Sequence, residues 1–183
     1  MHRPYDLRIG GRKNLGERGV DTHRKIVGLK ALQRALGQLR RQGKTIAFTN
    51  GCFDIVHFGH VRYLEKAKGR DRVLIIGMNS DRSVRKIKGP RRPIVTEKAR
   101  AAVLAALACV DYVTIFNEET PQKLIAALKP DVLIKGADWK GKTVAGSDVV
   151  RKYGGKVEYV RYVPRYSSTN IIEAIIQKCK CAA

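Results

Sequence analysis

Two histidines three positions apart, His57 and His60, close the run Phe48-Thr49-Asn50-Gly51-Cys52-Phe53-Asp54-Ile55-Val56-His57-Phe58-Gly59-His60. At a helix start, side chains at that spacing project to one side. Gly51 and Gly59 lie in the same run, and a residue without a Cβ lets backbone approach a ligand closely. A helix N-terminus adds unpaired N–H groups and a partial positive charge, which together attract phosphate. Imidazoles beside such a site can donate to phosphoryl oxygens as negative charge develops, so the chemistry these residues suit is transition-state stabilisation at phosphorus. No carboxylate pair or nucleophilic triad accompanies them. No covalent enzyme intermediate is needed for that chemistry.

Such a site needs a strand before the run and a helix after it. Residues 45–49 read as a short apolar strand ending at Asn50-Gly51, and Val61, Leu64 and Ala67 mark the following helix. A buried strand over 72–78, a helix over 97–108 and a strand over 112–116 come next. Thr120-Pro121 opens another helix, with proline in its first turn. Strands over 131–135 and 157–160 and a helix over 171–177 complete the chain. Strands separated by helical segments imply βαβ units and a parallel sheet. The expected fold class is α/β: a Rossmann-like, doubly wound parallel sheet in a single domain, with ligands at the carboxyl ends of the strands. Upstream, Leu29, Leu32, Leu36 and Leu39 predict an amphipathic helix over 27–41. Residues 1–26 read as a basic N-terminal arm, residues 27–183 as the domain, and about 44–178 as its catalytic core.

Composition excludes several classes. At 44% apolar and 29% charged residues, the 183-residue chain is globular. Its longest apolar run, over 101–110, falls well short of the roughly 20 residues of a membrane span. No apolar stretch follows the N-terminus as in a secretory signal. The expectation is a soluble, cytoplasmic protein without a membrane partner. Cys52, Cys109, Cys179 and Cys181 lack the spacing of a metal cage or disulfide framework, so no metal ligands are assigned. The net charge of +21, with a pI near 10.2, attracts polyanions. Residues 1–44 carry twelve Lys/Arg against three Asp/Glu. Charge alone does not separate an enzyme for phosphorylated substrates from a nucleic-acid binder. The core, however, lacks stacked strand aromatics and a recognition-helix pattern, which argues against nucleic acid.

The run from Asn50 to His60 resembles the cytidylyltransferase-like nucleotidyltransferase superfamily with its HxGH motif. More closely, the chain resembles the D-glycero-β-D-manno-heptose 1-phosphate adenylyltransferase (ADP-heptose synthase) domain over about residues 44–177. That likeness includes Gly77-Met78-Asn79-Ser80-Asp81, Lys88-Gly89-Pro90-Arg91-Arg92-Pro93-Ile94, Asp111-Tyr112-Val113, Thr120-Pro121, Lys135-Gly136-Ala137-Asp138 and Tyr166-Ser167-Ser168-Thr169. The resemblance implies that His57 and His60 contact a triphosphate and stabilise the transition state at its α-phosphate. Lys88 is implied as a mobile lysine reaching the phosphates. Thr49, Asn50, Gly51, Cys52 and Phe53 would wrap the nucleotide, joined by Gly136 and Asp138 and by Ser167, Ser168 and Thr169 at a helix start. Asp54, Asn79, Asp81 and Arg92 would meet the acceptor. Asp81 serves equally as an N-cap for residues 82–87, and Asn170 with Glu173 fits a capping box.

Two positions depart from the family pattern. Arg165 stands where relatives often have glycine. Asn170 stands where the cytidylyltransferase branch has lysine, which favours the heptose branch. The implied reaction joins ATP and heptose 1-phosphate to give ADP-heptose, a lipopolysaccharide core precursor, and pyrophosphate, with Mg²⁺ shielding the polyphosphate. The heptose phosphate would come from a separate kinase, and a homodimer is left open. Glycerol-3-phosphate cytidylyltransferase is the alternative within the class.

Overall fold

The computed structural model describes residues 21–161, 163 and 166–180. The arm over 1–20, Arg165 and Cys181 lie outside them. Five strands, β1 (Thr45–Gly51), β2 (Arg72–Asn79), β3 (Tyr112–Phe116), β4 (Val132–Gly136) and β5 (Lys156–Val160), form one parallel sheet in the order β3-β2-β1-β4-β5. Among the described residues seven α-helices connect or flank them: α1 (Leu29–Arg41), α2 (Phe58–Lys68), α3 (Asp81–Lys88), α4 (Glu97–Ala106), α5 (Gln122–Leu128), α6 (Ser147–Lys152) and α7 (Ser168–Lys180). This is the doubly wound sheet expected from the sequence.

The parity of the strand residues explains the layers. Successive side chains of a strand point to opposite faces. Ala47, Leu74, Ile76, Met78, Val132 and Ile134 pack with Tyr63 and Leu64 of α2 and Leu104 of α4. Their neighbours Ile46, Phe48, Val73, Ile75 and Leu133 pack with Leu32 and Leu36 of α1, Leu124 and Ile125 of α5 and Val150 of α6. Strands covered on both faces read as continuous apolar runs, as these do. Arg40, in the last turn of α1, donates to the carbonyls of Leu128 (2.6 Å) and Lys129 (2.7 Å) at the end of α5. A cation there offsets the negative end of the helix dipole.

The sheet order places a topological switch between β1 and β4, where ligands of such sheets bind. The ladder between β1 and β2 runs on to Gly51↔Met78. The ladder between β1 and β4 pairs only Ala47↔Val132 and Phe48↔Leu133. Beyond that point the two strands are unpaired, and a crevice opens between Asn50-Gly51 and Lys135-Gly136.

Several boundaries differ from expectation. Ser80, not Asp81, caps α3, with its hydroxyl accepting from Ser83 N at 3.2 Å. The last helix starts three residues before the expected Ile171, because Ser168 Oγ is held by the Ile55 carbonyl at 3.1 Å. Its capping pair is therefore Ser167 with Asn170 (Asn170 N to Ser167 Oγ, 3.0 Å), not Asn170 with Glu173. Helix α6 was not anticipated, since six residues are too few to show a period. At the N-terminal side, Thr22–Lys25 form a 3-10 turn, Ile26 bridges Val113, and Lys25 Nζ donates to the Leu107 carbonyl at 3.2 Å.

Candidate active site

Gly51 ends β1, and the chain enters α2 through residues 52–57. Phe53 adopts φ +47° in this turn, a left-handed conformation that costs an L-residue roughly 1–2 kcal/mol. Burial of its ring over Gly51 and beside His60, with centroids 5.1 Å apart, holds it there. His57 is the N-cap position of α2, and the His57 and His60 rings stack with centroids 3.9 Å apart. Gly59 makes this possible. A Cβ there would lie 2.9 Å from Tyr166 Cβ and 3.1 Å from the His57 ring. Tyr166 in turn packs edge-on against Phe58, 5.3 Å between centroids, and Ser168 Oγ bonds to Ile55. The start of α7 is thus fastened against the start of α2, and two helix N-termini converge on the histidines.

Both imidazoles are held neutral. Burial lowers the His57 pKa, and burial together with neighbouring His57 pushes His60 down to about 4. Their Nδ1 atoms are buried and find no hydrogen-bond partner among the described residues. An anion bound nearby would raise both pKa values.

His60 borders a cleft of about 430 Å³ at the carboxyl ends of β1, β2 and β4, and His57 stacks on His60 from outside the wall. The structure brings Asn50, Gly51, Cys52, Phe53, His60, Asn79, Lys88, Arg92, Gly136, Ser168 and Thr169 to its walls. Lys88 is the exposed last residue of α3, and the loop over 89–96 follows it. Asn79 donates its amide to Ser83 Oγ at 2.9 Å, leaving Oδ1 as the group it can offer an acceptor. Burial raises the Cys52 thiol pKa, so it stands there as a neutral group.

Other expected residues have different positions. Thr49 is fully buried behind the wall, with its hydroxyl on Tyr63 Oη at 2.8 Å. Asp54 lines the cleft but both oxygens are engaged: one accepts from Ile94 N (2.7 Å) and Val95 N (3.0 Å), the other from Arg92 Nε. Its expected acceptor contact gives way to a role in fastening the 89–96 loop, and through it Arg92. Asp81 faces a separate groove with Arg85 and Glu97. Its carboxylate accepts from Arg100 Nη2 at 2.8 Å, so it is a structural anchor, not an acceptor ligand. Asp138 sits on a 3-10 turn (Ala137–Trp139) outside the cleft wall, and Ser167 caps α7.

Three residues of consequence belong to none of the expected site positions. Arg100 is fully buried and donates to the carbonyls of Val95 (2.9 Å) and Cys52 as well as to Asp81. It ties together the loops after β1 and β2 and the 89–96 loop. An arginine one turn before Leu104, on the apolar side of α4, was the available signal. Lys135 and Trp139 both line the cleft. A lysine ending an otherwise apolar buried strand was the signal for the first.

Comparison with known proteins matches this site to a family. The cytidylyltransferase-like family model covers residues 48–174. The chain is 48% identical over 164 residues to the bifunctional protein HldE of Syntrophotalea carbinolica, and 50% identical over 164 residues to that of Geobacter metallireducens. Each match takes in 90% of this chain but only 34% of the relative, so the chain spans about a third of their length. Among solved structures, the lipopolysaccharide core biosynthesis protein of Thermoplasma volcanium superposes with a TM-score of 0.54 at 29% identity, covering 67% of this chain and 98% of that one. Pantoate-beta-alanine ligase of Francisella tularensis (TM-score 0.55, 16% identity, 81% of this chain and 76% of that one) shares the fold. With its paired histidines at the switch point and two-thirds of its length matched, the chain belongs to the cytidylyltransferase-like family of nucleotidyltransferases.

Proposed function

We propose that this domain transfers AMP from ATP to D-glycero-β-D-manno-heptose 1-phosphate, giving ADP-heptose and pyrophosphate. The observation that carries the reading is near-half identity to HldE proteins across nine-tenths of the chain, with the paired histidines at the switch point. An oxygen of the acceptor phosphate attacks the α-phosphorus in line. The new P–O bond forms as the bond to the β-phosphate oxygen breaks, and pyrophosphate leaves. No proton needs to be removed from a phosphate dianion, so the enzyme's work is positioning and charge neutralisation. His57, His60 and the start of α7 would face the triphosphate. Lys88 would reach the polyphosphate from the end of α3. Arg92, aimed by Asp54, and Asn79 would hold the acceptor.

Mg²⁺ fits this reading as part of the nucleotide substrate. Among the described residues no cluster of three or more His, Cys, Asp or Glu could cage a metal. Mg²⁺ commonly binds substrate phosphates while keeping several waters. A heptose kinase activity would supply the acceptor, a cytoplasmic location would suit the pathway, and the half-exposed Ile175 and Ile176 of α7 suit a homodimer contact. Among the described residues no helix is long and apolar enough to cross a membrane.

The test is pyrophosphate release across a matrix of nucleotides and sugar phosphates. ATP with heptose 1-phosphate should give the highest kcat/KM. A higher value for CTP with glycerol 3-phosphate would overturn the acceptor and leave the family assignment standing.

A further inference from the structure

Lys135 ends β4 at the switch point, and it is only 8% exposed. Its Nζ crosses the unpaired gap between β4 and β1 to donate to Asn50 Oδ1 at 2.6 Å, and lies 5.5 Å from the centroid of the Trp139 ring. Those partners are a neutral amide and an aromatic face. Other buried or half-buried cations of the fold have carboxylates: Arg92 has Asp54, Arg100 has Asp81, and Lys68 has Asp111. Lys135 has no carboxylate in salt-bridge range among the described residues. Asp138 acts on it only through its field, Asp54 is taken by Arg92, and Glu119 across the cleft is exposed. A desolvated charge without a counter-ion is costly in a finished core. In a cleft that receives phosphates it is a charge awaiting its partner.

We propose that Lys135 is an anion-binding residue of the active site, whose ammonium takes a phosphoryl oxygen of a substrate at the β1/β4 crevice. Asn50 accepts one of the three ammonium protons, which leaves the other two for the ligand. With Asn50 Oδ1 turned to Lys135, the Asn50 amide N–H groups are left as further donors to the same cleft. The Trp139 face holds the ammonium by a cation–π contact without neutralising it. Burial lowers the Lys135 pKa to about 8, against the opposing field of Asp138. An anion bound beside it would raise that value again. The other charged groups on the cleft do not replace it: Lys88 is exposed, Arg92 is paired, and His60 is neutral at pH 7. The identity of the phosphoryl group rests on the proposed nucleotidyl transfer; the anion site itself does not.

The experiment is calorimetric titration of the full chain and two variants with ATP, inorganic pyrophosphate and heptose 1-phosphate, each added alone. Lys135→Met keeps the length of the side chain and removes the charge. Asn50→Asp keeps the shape of its partner and gives Lys135 an internal counter-ion that competes with the ligand. Both variants should weaken at least one ligand tenfold or more without lowering Tm. Weakening confined to ATP and pyrophosphate identifies the nucleotide's phosphates, and weakening confined to heptose 1-phosphate identifies the acceptor's. At pH 8.5, titration in buffers of different ionisation enthalpy should show proton uptake by the parent chain that Lys135→Met lacks. Affinities within twofold in every arm, with unchanged proton uptake, would overturn the proposal. If no acceptor supports pyrophosphate release, the proposed reaction fails, and the ATP and pyrophosphate arms still decide Lys135.

Discussion

The histidine pair shows how single residues carry this site. In the proposed reaction His57 and His60 serve as neutral donors to the transition state, so His57→Ala and His60→Ala should each lower kcat by roughly 10²-fold, the scale of losing one oxyanion donor. Steady-state kinetics beside thermal melts check this, and an unchanged kcat with a collapsed Tm would make the pair structural. His60 also predicts a pH effect with a definite sign. Its folded pKa of about 4 lies below the unfolded 6.5. Above 6.5 both states are neutral there and His60 adds no pH dependence. As pH falls through 6.5 towards 4 the unfolded chain takes a proton the folded chain refuses, so stability drops, by at most about 3 kcal/mol. Denaturant melts between pH 7 and 4.5 should therefore show a steeper loss for the parent than for His60→Gln; parallel losses would contradict it. Gly59→Ala would push its Cβ against Tyr166 and the His57 ring. We expect kcat to fall tenfold or more, since displacing a positioned group by an ångström can cost about 10².

At the scale of elements, the 89–96 loop is the segment whose placement the rest of the fold dictates. Asp54 holds it by two backbone amides and Arg92, while Arg100 holds it by the Val95 carbonyl. Asp54→Ala should release the loop and Arg92 together, raising KM for the acceptor at least tenfold while KM for ATP stays within threefold. An equal rise in both KM values would mean that Asp54 serves the whole cleft. Arg100 is different in kind. Its removal leaves the half-buried Cys52 and Val95 carbonyls and the partly exposed Asp81 carboxylate without their donor, and opens a void where a fully buried side chain stood, at a cost of about 2–3 kcal/mol. Arg100→Ala should therefore appear in urea melts before it appears in any KM.

For the whole molecule, the charge of +21 bears on encounter more than on chemistry. Deleting residues 1–20, which contain none of the site residues, should leave kcat within about threefold, or roughly 0.7 kcal/mol of barrier. Any loss in kcat/KM should shrink as salt screens the field. Carrying the deletion through Ile26 removes the Lys25 contact to Leu107 and the bridge to Val113 as well. That longer truncation should lower Tm where the shorter one does not. Equal melting of the two would place the working boundary after Ile26.

The sequence by itself determined the order of the strands and of the helices other than α6, the parallel sheet and the motif at its switch point. Period and composition are local properties, and a run such as residues 72–78 is buried on both faces in any such sheet. It also pointed to His60, Lys88 and Asn79, which come together on one cleft because strand ends in a parallel sheet share one edge, while His57 stacks on His60 outside the cleft wall. What it left open depended on partners distant in the chain. Asp54 and Asp81 are carboxylates beside the site by position, yet one faces Arg92 and residues 94–95 and the other faces Arg100, from segments 19 to 41 residues away. The start of α7 was set by Ile55, 113 residues upstream. Lys135 looked like the end of an apolar strand until the crevice placed Asn50 opposite it and no acid beside it. Only the folded chain decides which oxygen a buried donor meets, because desolvation makes each polar group depend on its spatial neighbours.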